Sequence, residues 1–184
     1  MFIIVDNFYK DPDSIREYAL SLPYNVYGNY PGVRSLPAKD SSWRNSIKVY
    51  LENNILHKKI TYFPEEKYNT SFQYTMSNAV TWVHHDETVW AGIVYLTPNA
   101  PVESGTAIYR HKKTKIFAHE QGLLDYNGIS TEYKDWEIIS FAGNVYNRLV
   151  LYLGKYYHRS VVPGFGCDLH TARLFQTFFF DTEI

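Results

Sequence analysis

"AVTWVHHDETVWAGIVYLT", residues 79–97, decides how this chain is read. From Trp90 onward it is a short aromatic and β-branched run, the composition of a buried β-strand. Before Trp90 the apolar run is interrupted by His84, His85, Asp86 and Glu87. Side chains alternate across a strand. A strand over 79–86 therefore sets Trp82, His84 and Asp86 on one face and Val83, His85 and Glu87 on the other. A histidine and a carboxylate two positions apart can meet on one cation. A second histidine from elsewhere completes a 2-His-1-carboxylate set, which leaves positions on Fe(II) open for a co-substrate and dioxygen. Alternation does not choose between His84 with Asp86 and His85 with Glu87, and an exposed polar turn accounts for the same four residues.

The flanking sequence repeats the strand pattern. TSFQYTMS (70–77), GTAIYR (105–110), WEIISF (136–141), RLVLYL (148–153) and ARLFQTFFF (172–180) are short, β-branched or aromatic, and separated by Gly, Pro, Asn and Asp. FIIV (2–5) reads as one more short strand. Two helices lie ahead of the β-rich region. DPDSIREYALSL (11–22) has Asp11 as N-cap, Pro12 in the first turn, and Ile15, Tyr18, Ala19 and Leu22 on one face. WRNSIKVYLENNIL (43–56) places Ile47, Tyr50, Leu51 and Ile55 at helical spacing. Seven or eight strands after two helices predict a mainly β fold with flanking helices (α+β). The architecture expected is a β-sandwich or jelly roll, with the N-terminal helices packed on one sheet. A single domain over 1–184 accommodates it, with helical support at about 11–60 and a β core at about 70–181. Residues 23–42, with Pro23, Pro31, Gly32 and Pro37, are irregular and predicted to wrap the core or form a lid. They and residues 111–135 would shape a pocket.

Composition narrows the function classes. Apolar residues make up 45% of the 184 and charged residues 20%, values of an ordinary soluble domain. The net charge of −1 gives no global attraction to nucleic acid or to an anionic membrane. The short basic run RHKKTK (110–115) reads as a solvated loop. The single cysteine, Cys167, forms no internal disulfide and reads as a small loop or core residue, which suits a reducing compartment. MFIIVDNFYKDPD is not a signal peptide, and no apolar stretch approaches a membrane span. A soluble, cytoplasmic protein is expected. Neither GKYYHRS nor PGFG has the spacing of a phosphate loop, and no Ser-His-Asp or Cys-His arrangement has a recognisable context.

Two downstream residues bear on the histidine cluster. NRLVLYLGKYYHRS (147–160) reads as a hydrophobic strand running into His158. TARLFQTFFF (171–180) opens an apolar strand with Arg173. A guanidinium buried there needs an anionic partner, because an unpaired buried charge is costly. A planar fork suits a carboxylate, from the protein or from a ligand.

The order of these elements resembles the iron(II)/2-oxoglutarate-dependent dioxygenases, most of all their prolyl-hydroxylase-like branch. The resemblance runs over 70–180. It comprises a tyrosine-bearing strand (FQYTM), His-x-Asp within HHD, a strand of the type IVYLT and a Gly-Gly-Thr type turn (here SGTAIY). A strand leading to a distal histidine and a last strand beginning with arginine complete it. The resemblance implies a double-stranded β-helix, in which His84, Asp86 and His158 ligate iron and Arg173 binds the distal carboxylate of 2-oxoglutarate. Thr177 would supply a helper hydroxyl, and Tyr74 and Tyr95 would line the co-substrate pocket. The implied reaction consumes O2 and 2-oxoglutarate, releases succinate and CO2, and hydroxylates a small-molecule or peptide substrate. ESG stands where a double glycine is usual, and RSVVPGFGCDLHTA between His158 and Arg173 is longer than typical, so Arg159 and Arg148 are alternatives to Arg173.

Two other functions fit the same residues. One is a non-catalytic jelly-roll binding module with HHDE as an exposed turn; the other is a cupin-like metal enzyme that ignores 2-oxoglutarate. A hydrolytic zinc site is a third. Trp82, Trp90 and Trp136 read as core or pocket walls, and His57, His111, His119 and His170 as surface residues.

Overall fold

Asp11 and Asp40 start the two helices of the computed structural model, which describes residues 1–66, 68–119 and 133–183. The Asp11 carboxylate accepts from the Ser14 amide (3.1 Å) at the head of α1 (Pro12–Ser21). Asp40 accepts from the amides of Ser42 (2.9 Å) and Trp43 (3.0 Å) at the head of α2 (Ser41–Tyr50). Each cap satisfies donors that the first helical turn leaves unpaired. The second helix continues as a π-helical stretch, Leu51–Leu56, and stops at His57, whose φ of 51° is left-handed.

Among the described residues ten strands follow one another: β1 (Ile3–Val5), β2 (Val33–Arg34), β3 (Ile60–Tyr62), β4 (Phe72–Thr75), β5 (Trp90–Tyr95), β6 (Thr106–His111), β7 (Trp136–Ala142), β8 (Leu149–Leu153), β9 (His158–Ser160) and β10 (Arg173–Thr182). Seven form one sheet in the order β1-β8-β5-β10-β4-β2, with β3 pairing the far end of β10. The others form a three-stranded sheet, β7-β6-β9, and every pairing is antiparallel. Strand β10 is the spine, flanked by β5 on one side and β4 on the other.

Alternation along these strands divides the core in two. One face of the large sheet, with Phe72, Val94, Leu149, Leu151, Leu174 and Phe178, packs against Ala19, Ile47 and Leu51 of the helical layer. Trp43 stacks on Phe72 with ring centroids 6.3 Å apart. The other face, with Ala91, Ile93, Tyr95, Val150, Tyr152 and Phe175, meets Ile108 and Ala142 of the small sheet. The helices thus cover one face of the large sheet and leave the other for the space between the sheets.

Two expected elements differ. Residues 79–89 are not a strand; His84 makes a single isolated bridge to His158. The strand before His158 ends at Leu153, the chain turns at Gly154, and His158 opens β9 in the other sheet. Short β2, β3 and β9 have too few residues to show a periodic signal.

Gly105, in the SGTAIY turn, lies where a Cβ would sit 2.0 Å from the Ala142 carbonyl oxygen. Backbone cannot yield there as a flexible side chain can. Gly105→Ala is expected to lower unfolding free energy by about 1–3 kcal/mol, read by urea denaturation. Unchanged stability would show that the turn relaxes freely.

Candidate functional site

The irregular stretch 84–89 is held in place by backbone bonds to the turn that joins β8 to β9. His84 and His158 exchange both amide–carbonyl bonds (3.1 and 2.7 Å), the Asp86 amide donates to Gly154 O (2.8 Å), and the Gly154 amide donates to Val89 O (2.9 Å). This zipper brings both histidines and the aspartate to one point. Ligand atoms of His84, Asp86 and His158 all lie within 4.8 Å of one another. The imidazole rings of His84 and His158 are 4.3 Å apart, and His158 Nε2 is 3.2 Å from Asp86 Oδ2.

The tautomers follow from the partners. His84 Nδ1 lies 3.0 Å from Trp82 O, and His158 Nδ1 lies 2.8 Å from Tyr156 O. A carbonyl only accepts, so Nδ1 carries the proton in both rings and Nε2 is left with a lone pair in the neutral form. A bond of this kind, from the ring nitrogen that faces away from the ion, orients metal-binding histidines. Burial, reinforced by repulsion from His158, pushes the His84 pKa down to about 4, so this ring is neutral at physiological pH. Burial opposes ionisation of Asp86, but attraction and a hydrogen bond from His158, with smaller pulls from His84 and Arg34, hold its carboxyl below the usual range.

The reverse face holds no such cluster. His85 stacks on His119 at 4.0 Å and meets Tyr157 edge-on, while Glu87 is exposed. Among the described residues, His84, Asp86 and His158 are the metal-capable group.

These three residues line a cavity of about 820 Å³ between the sheets, together with Arg34, Gln73, Trp82, Thr106, Tyr152, Ser160, Arg173 and Thr177. Arg173 is buried, donates to Ser160 Oγ (2.6 Å) and Thr106 Oγ1 (3.2 Å), and packs over the rings of Phe175 and Tyr95. It has no carboxylate partner among the described residues, and its Nε is buried without a hydrogen bond. Arg148 is paired with Asp6 through two contacts (2.6 and 2.9 Å). Arg159 donates to Thr81 Oγ1 (2.7 Å) and lies outside the cavity lining. Of the three arginines, only Arg173 offers its charge to the cavity.

The remaining expectations divide. Tyr74 does not reach the cavity: it alternates with Gln73, shares the face of Phe72, and packs edge-on against Tyr24 under the helices. Tyr95 is fully buried behind the cavity wall, its hydroxyl 2.9 Å from Thr106 Oγ1, which in turn accepts from Arg173. Thr177 lines the cavity, but its hydroxyl donates to the Tyr68 carbonyl (2.6 Å), so that proton is committed to backbone. Thr106 and Ser160 instead bring hydroxyls to Arg173. His111 is buried against Trp136 rather than on the surface. Residues 23–42 do shape the cavity through Asn29, Tyr30, Pro31 and Arg34. Of the segment 111–135, residues 120–132 lie outside the described residues and the rest line no part of it.

The fold is one shared with prolyl hydroxylases and with a protein solved with nickel and 2-oxoglutarate bound. A Trichoplax adhaerens prolyl hydroxylase, in complex with a hypoxia-inducible-factor degradation-domain peptide, matches with a TM-score of 0.56 and 14% identity over 98% of this chain and 83% of that one. HygX from Streptomyces hygroscopicus, with nickel, 2-oxoglutarate and hygromycin B bound, gives 0.59 and 11% over 97% and 82%. A Pseudomonas putida prolyl-4-hydroxylase gives 0.53 and 12% over 97% and 91%. By sequence the chain belongs to the family of unknown function DUF6445, whose model matches residues 1–180. No curated protein matches it.

Proposed function

We propose that this protein is an Fe(II)- and 2-oxoglutarate-dependent oxygenase that hydroxylates a small-molecule or peptide substrate. Residues 1–184 would form one double-stranded β-helix domain with its helices on the large sheet. The observation that carries the reading is the 3.2 Å approach of His158 Nε2 to Asp86 Oδ2. With Nδ1 protonated, two lone pairs face each other there, and a proton or a cation must lie between them. Donors about 2.1 Å from one ion and at right angles stand about 3 Å apart, close to what is found. Two imidazoles and one carboxylate are the donor set that leaves half of an octahedral ion's positions open.

His84, Asp86 and His158 would hold the metal. With metal and co-substrate bound, reaction with O2 converts 2-oxoglutarate to succinate and CO2, one oxygen atom entering succinate and the other a substrate C–H bond. The chain's own contribution is positioning. Arg173 would pair with the distal carboxylate, and Thr106 and Ser160 keep its fork fixed in a low-dielectric wall. Tyr95 secures Thr106 from behind. The aromatic walls, Tyr152, Phe175 and Trp82, limit water near the reacting atoms.

A succinate-release screen over substrate pools, supplied with iron, 2-oxoglutarate and air, tests the reading. Succinate formed above the metal-free control and rising with one pool is the expected result. A protein that binds metal yet releases none with any pool would favour the cupin-like alternative.

A further inference from the structure

The oxygenase reading leaves one cationic group in the cavity unused. Arg34 ends β2, the short strand ahead of α2, is 7% exposed, and lines the same cavity as the metal-capable cluster. Its Nε donates to Gln73 Oε1 (2.5 Å), whose amide is fixed on Pro31 O. Tyr30 covers the guanidinium face at 3.8 Å, and Tyr68 and Phe179 stand at 4.7 and 5.5 Å. It forms no ion pair among the described residues. A guanidinium so deeply placed is costly without an anion, and burial lowers its pKa to about 10, which leaves it charged at neutral pH.

Strand register separates this group from Arg173. Arg34 is opposite Gln73, which is opposite Phe175, two residues beyond Arg173. Two strand spacings of about 4.8 Å and two residue rises of about 3.4 Å put the two arginine Cα atoms about 12 Å apart. A five-carbon diacid chelated by its keto acid end has one carboxylate left, and Arg173 would take it. A divalent metal with Asp86, and 2-oxoglutarate with Arg173, cancel in charge. The cation at Arg34 then remains for a second anion. Glu87 also borders the cavity but is exposed and unpaired with Arg34.

We propose that Arg34 binds a carboxylate of the substrate, so that the molecule oxidised is an organic acid. Because Tyr30 covers the face, the anion reaches the guanidinium edge-on. Its terminal nitrogens match a planar carboxylate there as a two-bond pair. The inference rests on the oxygenase reading for the identity of the first anion.

The test uses N-acetyl amino acids, each as free acid and as carboxamide, titrated into full-length protein and followed by tryptophan fluorescence, since Trp82 lines the cavity. Titrations are run on protein loaded with Ni(II) and 2-oxoglutarate and on metal-free protein. At least one free acid should bind about 30-fold or more tightly than its amide. Arg34→Gln should abolish that preference while Ni(II) and 2-oxoglutarate affinities stay within threefold. If Arg34→Gln does not fold, Arg34→Lys, which keeps the charge and loses the fork, should weaken the acid at least tenfold. No acid preferred over its amide, or a preference that survives the substitution, overturns the assignment. Failure of the wild type to bind Ni(II) and 2-oxoglutarate would overturn the oxygenase reading instead, and the metal-free titration then decides Arg34.

Discussion

Asp86→Ala and His158→Ala should each weaken Fe(II) binding by more than about 100-fold, measured by anaerobic equilibrium dialysis, and abolish succinate formation. Loss of an outer-shell partner already costs 10–100-fold in metal affinity, and these residues would supply ligand atoms themselves. The fold should survive. The backbone zipper runs through the Asp86 amide to Gly154 O and through the His84–His158 bridge, and neither uses the side chains that are removed. Far-ultraviolet circular dichroism should therefore match the wild type. Metal affinity kept within threefold in either variant would remove that residue from the site.

Arg173→Ala should raise the 2-oxoglutarate concentration needed for half-maximal succinate release while leaving Fe(II) affinity nearly unchanged. Removing one partner of a buried charge pair costs about 2–5 kcal/mol, or about 30-fold to several thousand-fold. Neither alternative to Arg173 can take its place: Arg148 is held by Asp6, and Arg159 lies outside the lining. Thr106→Val and Ser160→Ala should each give a smaller rise, because they orient the guanidinium without supplying charge. An unchanged requirement in Arg173→Ala would move the anchor elsewhere.

How far the sequence reaches depends on the kind of signal each element leaves. Strands β4 to β8 and β10 are runs of aromatic and β-branched residues with turn formers between them, and local pattern is enough to find them. The first helix declares itself through Asp11 and an apolar face, the second through its apolar face alone, its cap at Asp40 lying ahead of the expected start at Trp43. The choice of His84 with Asp86 over His85 with Glu87 is different. Residues 79–89 are not a strand, so local alternation selects neither pair; the bridge of His84 to His158, 74 residues on, brings His84 and Asp86 beside His158. Tyr74 lies off the cavity, and its own strand gives the reason. In FQYT, Phe72 and Tyr74 share a face, and Phe72 lies beneath the helices, so Gln73 must face the cavity. Arg34 left no signal. Its ring partners Tyr30 and Tyr68 are far apart along the chain and meet only through tertiary packing.

Anaerobic addition of Fe(II) and then 2-oxoglutarate to the purified protein, read by visible absorption, tests the central claim most directly. A charge-transfer band that requires both additions, and that is missing in Asp86→Ala, is the predicted result. A spectrum unchanged by 2-oxoglutarate in protein that has taken up Fe(II) would contradict the account.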